Sequence, residues 1–114
     1  MAKQEKTAYE VKLTANALQN IDEITGYIAF VNHQFLNAAK VGDAIFAAIE
    51  RIGNTPFAYK ECPEMPTKSK MYRQAVCSSW LIIYKISGMK IIVLGIIHKS
   101  RKPSKIRSLK KQDK

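Results

Sequence analysis

The densest chemistry in the 114-residue chain lies in one short run near its C-terminal end, Ile97-His98-Lys99-Ser100-Arg101-Lys102-Pro103. An imidazole titrates near neutrality and can move protons. A guanidinium can fork onto two phosphate oxygens, and an ammonium can bind phosphate as a point charge. His98 with Arg101, Lys99 and Lys102 is therefore a set able to support metal-free phosphodiester cleavage. In that chemistry a base removes the 2′-OH proton, an acid protonates the leaving oxygen and cations stabilise the charged transition state. The plainer reading is a basic strand exit, which is common on protein surfaces. A second cluster, Tyr72-Arg73, sets an arginine beside an aromatic ring, a pair suited to a nucleobase or a partner's carboxylate. Its plainer reading is a strand edge with Tyr72 packed and Arg73 solvated.

Both clusters sit where the hydrophobic pattern predicts strands. Met89-Lys90-Ile91-Ile92-Val93-Leu94-Gly95-Ile96-Ile97 is almost wholly apolar, so the strand that delivers His98 is predicted to be central and buried on both faces. Before it, Met71–Cys77 and Trp80–Ile86 read as strands, joined at Ser78-Ser79 and followed by a turn at Ser87-Gly88, where glycine tolerates a positive φ. Trp80 and Tyr84 read as core aromatics, and Cys77 as a small apolar strand residue.

Upstream, Tyr9, Val11 and Leu13 alternate with charges, which predicts a half-buried strand over residues 8–13. Thr14 offers an N-cap oxygen and the period then changes. Ala17, Ile21, Ile24, Ile28 and Val31 make one helical stripe, with Asn16, Asn20, Asp22 and Glu23 on other faces and Gly26 as a mild weak point. Asn32-His33-Gln34 interrupts the pattern; His33 is assigned no role. Ala38, Val41, Ile45, Ala48, Ile49 and Ile52 form a second stripe, which Gly53, Asn54 and Pro56 bring to an end. Residues 53–70, with three prolines, read as a loop. The order β-α-α-β-β-β predicts an α+β domain, a helical hairpin packed on one face of a mainly antiparallel four-stranded sheet.

Composition bounds the rest. A hydrophobic share of 46% is enough for one folded domain spanning 1–114, with its core at about 8–103, and leaves no room for a second. No apolar run is long enough for a membrane span, and Met1–Lys6 is polar, so the expected compartment is the cytoplasm. The two cysteines, Cys62 and Cys77, and the two histidines, His33 and His98, have no spacing typical of metal sites; neither a metal nor a cofactor is expected. The net charge of +10 is uneven. From His98 onward there are eight basic residues and one acid, against eleven and eight in the preceding 97. That basic segment would attract a polyanion or an acidic protein. For Leu109–Lys114 the simpler expectation is a solvated, frayed tail.

The element order and several local strings together resemble the RelE/ParE toxin superfamily, especially its ParE or plasmid-stabilisation branch. The strings are Tyr9–Thr14, Ile24–Ile28, Ile52–Pro56, Met71-Tyr72-Arg73, Leu81–Ile86 and Ile91–Arg101 with its His-x-x-Arg exit. The resemblance implies a growth-inhibiting toxin held inactive by a cognate antitoxin in a hetero-oligomer. The ParE branch is associated with inhibition of DNA gyrase without a catalytic triad of its own. The RelE branch consists of ribosome-dependent mRNA endonucleases. On that alternative, His98 and Tyr72 are the proton-transfer candidates, with Arg73, Lys99 and Arg101 on phosphate. The chain departs from the RelE pattern where Trp80-Leu81-Ile82 replaces a basic residue and where Gln74-Ala75-Val76 follows Arg73 without a second cation. Each lost donor can remove roughly 2.7–4 kcal/mol of transition-state stabilisation. The ParE reading is therefore the first expectation.

Overall fold

The computed structural model describes residues 9–112. Ala8 of the expected first strand and Asp113-Lys114 of the basic segment lie outside the described residues. The first strand, β1, is short, Glu10–Leu13. Thr14 then leaves the strand in extended geometry and caps helix α1 (Ala15–Gly26), its Oγ1 accepting from the Ala17 N–H at 3.0 Å. Such a cap is worth about 1 kcal/mol. The same hydroxyl donates to the Val93 carbonyl at 3.1 Å, which ties the helix start to the sheet.

Gly26 does not end the helix. The chain continues through one π-helical turn, Tyr27–Val31, and reverses at His33, which takes a φ of +57°. The π turn inserts an extra residue into the helical ladder and rotates the faces that follow it. Val31, expected in the apolar stripe, consequently points to solvent, whereas Ala17, Ile21 and Ile24 are buried as expected. Helix α2 (Phe35–Asn54) buries Ala38, Ile45, Ala48, Ile49 and Ile52. Gly53 is not a stop beyond the helix but its penultimate residue: a Cβ there would lie 2.9 Å from Val11 Cγ2, so glycine lets α2 lie close on β1.

The sheet order is β1-β4-β3-β2, with β2 Tyr72–Cys77, β3 Trp80–Ser87 and β4 Lys90–His98. β2, β3 and β4 are joined antiparallel, whereas β1 runs parallel to β4, with Val11 opposite Ile91. β4 is thus an inner strand, as its apolar run predicts. The turn between β3 and β4 is Gly88-Met89 rather than Ser87-Gly88, with Ser87 still paired to Lys90 and Gly88 at a φ of +61°.

Two apolar layers flank the sheet. The larger lies under the helical hairpin and joins Ile21, Ile45 and Ile52 to Ile82, Tyr84, Ile91 and Val93. The smaller lies on the opposite face and corrects the expectation of a frayed tail. Helix α3 (Pro103–Ser108) and a 3-10 turn, Leu109–Gln112, bring Ile106 and Leu109 down onto Leu81, Ile83 and Leu94, beside Cys62 and Met65 from the long loop. Burying two aliphatic side chains contributes about 1.5–3 kcal/mol each, enough to hold a short segment against its own flexibility.

Candidate functional site

β4 carries a bulge that shapes the site. Ile83 pairs with Gly95 and Tyr84 with Val93, leaving Leu94 as the extra residue. A bulge leaves backbone groups unpaired and re-aims the strand. Helix α1 supplies the missing partners. Asn16 Nδ2 donates to the Leu94 carbonyl at 3.0 Å, and Asn20 Oδ1 accepts from the Ile96 N–H at 3.0 Å. Both asparagines were expected on faces away from the core; their side chains instead lock α1 to the bulged strand. A Cβ on Gly95 would meet Leu109 Cδ2 at 2.8 Å and Asn20 Oδ1 at 3.0 Å, so that strand position has room for no side chain. Their i, i+4 spacing on α1 was the available signal, but it acquires meaning only beside a bulge.

Beyond the bulge, α1, the exit of β4 and α3 enclose a groove of about 420 Å³. Asn16, Asn20, Glu23 and Tyr27 line it from the helical hairpin, Trp80 and His98 from the strands, and Arg101 and Lys105 from the segment beyond β4. His98 pairs with Trp80 across the strands, and their rings meet edge to face at 5.1 Å. His98 Nδ1 accepts from the Ser100 N–H at 3.1 Å and lies 2.8 Å from Ser100 Oγ. An Nδ1 engaged as acceptor leaves the proton of a neutral ring on Nε2. Arg101, Lys102 and Lys105 are exposed around this corner, and the backbone N–H of Lys99 donates to the Ser79 carbonyl at 2.9 Å. The arrangement gathers two cations, an imidazole and the Glu23 carboxylate around one groove, so it can bind an anion at Arg101 and Lys105.

The second expected cluster is elsewhere. Tyr72 lies opposite Lys85, which lies opposite Ile92, six residues before His98 along β4. At about 3.3 Å per residue this places the two rings roughly 20 Å apart along the sheet. They also occupy opposite faces, Tyr72 under α3 in the smaller layer and His98 beside Trp80 on the hairpin side. Tyr72 is buried, with the Lys85 and Lys110 ammonium groups over its ring at 5.9 and 5.3 Å. Arg73, the next residue, points to the other face by strand alternation. It is not simply solvated. Its Nε donates to the Lys70 carbonyl at 2.8 Å, its Nη1 donates to the Tyr59 carbonyl at 2.8 Å and the Phe57 carbonyl at 3.4 Å, and the group stacks on Phe57. Tyr84 assists from beneath, its hydroxyl donating to the Pro56 carbonyl at 2.6 Å. Burial pushes the Tyr84 phenol well above its ordinary range. Trp80, expected in the core, is only partly buried and lines the groove. Among the described residues no cluster of histidine, cysteine, aspartate and glutamate could hold a metal ion, and no helix is long and apolar enough to cross a membrane.

Residues 11–103 match the sequence family described as the ParE toxin of type II toxin-antitoxin system, parDE. The chain belongs to the ParE toxin family. Among solved structures it is similar to a chain of the chromosomal ParDE toxin-antitoxin system from P. aeruginosa. The TM-score is 0.63 at 16% identity, over 82% of this chain and 98% of that one. It is also similar to a chain of the RelBE2 toxin-antitoxin complex from Mycobacterium tuberculosis. There the TM-score is 0.55 at 15% identity, over 87% of this chain and all of that one. At such identities the likeness is one of fold. No curated protein matches the sequence. The ParE assignment makes the chain the toxin component of a type II toxin–antitoxin system, and the groove at the β4 exit becomes a surface of that toxin.

Proposed function

We propose that this ParE-family toxin arrests growth in the cytoplasm by binding DNA gyrase, without cutting nucleic acid, and that a cognate antitoxin neutralises it. The observation that carries this reading is the separation of His98 from Tyr72, at opposite ends and on opposite faces of the sheet. A phosphodiester cut needs its acid and base within hydrogen-bond reach of one substrate. The commitment of Arg73 to backbone carbonyls supports the same conclusion, since it removes a phosphate-directed cation. An antitoxin partner is supported by the kind of assembly to which both similar folds belong. The basic C-terminal segment suits an acidic antitoxin stretch by charge complementarity. The test is controlled induction with plasmid supercoiling and mRNA integrity read in parallel. Growth arrest with supercoiling blocked and mRNA intact is the expected result; arrest with supercoiling unaffected overturns the reading.

A second reading is favoured by one feature, the convergence of His98, Arg101 and Lys105 on one groove. It makes the toxin a ribosome-dependent mRNA endonuclease with His98 as proton carrier and Arg101, Lys99 and Lys102 on phosphate. It requires codon-positioned cuts in a translation reaction that disappear on Arg101→Ala. Intact mRNA under translating conditions rejects it.

A further inference from the structure

Charge is sorted between the two faces of the molecule. The hairpin, residues 15–54, holds four acids against two bases, whereas residues 98–112 hold seven bases and no acid. The fold sets these stretches on opposite sides of the sheet, because Ile106 and Leu109 dock the C-terminal segment in the layer away from the hairpin. All seven cations are exposed, and among the described residues none of them enters an ion pair. Arg107, Lys110 and Lys111 share one side of the segment by their i, i+3 and i+4 spacing. Lys85 of β3 continues the patch onto the sheet, its ammonium over the same Tyr72 ring as that of Lys110. Like charges held this densely on a docked segment attract a counter-charge of comparable density.

We propose that this face binds the phosphate backbone of a nucleic-acid duplex without regard to sequence, a property that depends on neither the gyrase nor the mRNA reading. Composition selects this occupant over a protein. Between the cations stand Ser100, Ser104, Ser108 and Gln112, while Ile106 and Leu109 are buried against the sheet. No large apolar side chain is exposed between residues 98 and 112. Protein interfaces are held by buried apolar and aromatic anchors. Charge can therefore steer an acidic antitoxin stretch to this face, but the face offers that stretch no anchor. Lysine, arginine, serine and glutamine are the side chains that contact phosphate, and protein–DNA interfaces are correspondingly polar and cationic. The segment also lacks any aromatic residue, so it has no platform on which the bases of a single strand could stack. With both aliphatic side chains buried, it has no apolar face to insert into a lipid surface. Its length agrees with a duplex. Pro103–Gln112 spans roughly 15–20 Å at about 1.5–2.0 Å per residue, along which a duplex sets on the order of ten phosphate charges.

The test is fluorescence anisotropy of short labelled DNA duplexes of two unrelated sequences, titrated with the purified full chain from about 50 to 200 mM salt. Both duplexes are expected to bind alike. With about five cations on phosphate, the logarithm of the association constant should fall against the logarithm of salt with a slope of roughly −4.5. Arg107→Gln/Lys111→Gln should bring that slope closer to zero by roughly 1.8, about 0.9 for each lost contact, while Arg107→Lys should leave it in place. Neither residue lines the groove at the β4 exit, and both are exposed, so the thermal unfolding of the double variant should match that of the wild type. The control is Lys40→Gln/Arg51→Gln on the hairpin, which removes the same charge from the other face and should leave the slope unchanged. A control that flattens the slope as much as the Arg107/Lys111 variant overturns the proposal, since net charge alone then accounts for binding. So does tighter binding of single-stranded RNA, of vesicles containing phosphatidylserine or of poly-glutamate than of the duplex. A slope no steeper than about −1, the value of a single phosphate contact, overturns it equally.

Discussion

The two ends of the sheet carry arginines that look alike in sequence and behave in opposite ways. At the start of β2, Arg73 is spent on structure, donating to the carbonyls of Lys70, Tyr59 and Phe57 and closing the loop between α2 and β2 over Tyr84. Beyond the end of β4, Arg101 is exposed, engaged through its backbone with His98 and with no side-chain bond among the described residues. The difference comes from the neighbourhood. The residue 55–60 turn offers carbonyls that lack helix or sheet partners, and a guanidinium satisfies several at once. The β4 exit is surrounded by other cations and by a groove, so its arginine remains available to a ligand.

The largest effect should come from Arg73→Ala, which leaves those carbonyls without their donor and is expected to cost about 2–3 kcal/mol in urea unfolding. An unchanged midpoint would place Arg73 with Arg101 as a surface cation and erase the contrast. A comparable effect, visible only in alkali, is expected from Cys62 within the same loop. Burial pushes its thiol from 9.0 up to about 11. The folded state therefore keeps the proton that the unfolded state releases. Stability is full below pH 9 and falls as pH rises towards 11, by roughly 2–3 kcal/mol at 1.36 kcal/mol per unit. Cys62→Ala should flatten that slope in a pH series of melts, and a slope left intact would assign it to another group.

Tyr84→Phe should cost about 1–2 kcal/mol, since it removes the donor from the buried Pro56 carbonyl while keeping the ring that packs edge to face on Tyr59. The smallest effect on stability belongs to Arg101→Ala, expected within about 0.5 kcal/mol of wild type. If growth arrest also persists undiminished in that variant, the β4 exit is a bystander and the toxic surface lies elsewhere.

Much of the site's chemistry was legible because its residues are contiguous. His98 to Lys102 follow an apolar, β-branched run that reads as an inner strand, so their delivery to a surface exit is expected from pattern. The Tyr72-Arg73 pair was misleading for a simple reason. Neighbours on a strand face opposite sides, and which side holds a ligand depends on what packs there. Here the Tyr72 side is filled by Ile106 and Leu109, from a basic segment whose end, from Leu109 onward, reads as a solvated tail. Its two aliphatic residues, spaced three apart, were the only hint that it docks. Asn16 and Asn20 were missed because polar residues at i, i+4 ordinarily mark a wet helix face, and only the bulge at Leu94 turns that face inward.

Local pattern by itself determined the element order, the inner position of β4, the Thr14 cap and the membership of both apolar helix stripes up to the hairpin tip. These follow from periodicity and from capping chemistry, which act over a few residues. Tertiary structure alone decided which cations are free to act and which apolar residues remain in water. That depends on the bulge, on the π turn and on the docking of α3, each a contest between distant groups for the same carbonyl or the same patch of sheet. A contest of that kind has no signature in the residues of either competitor.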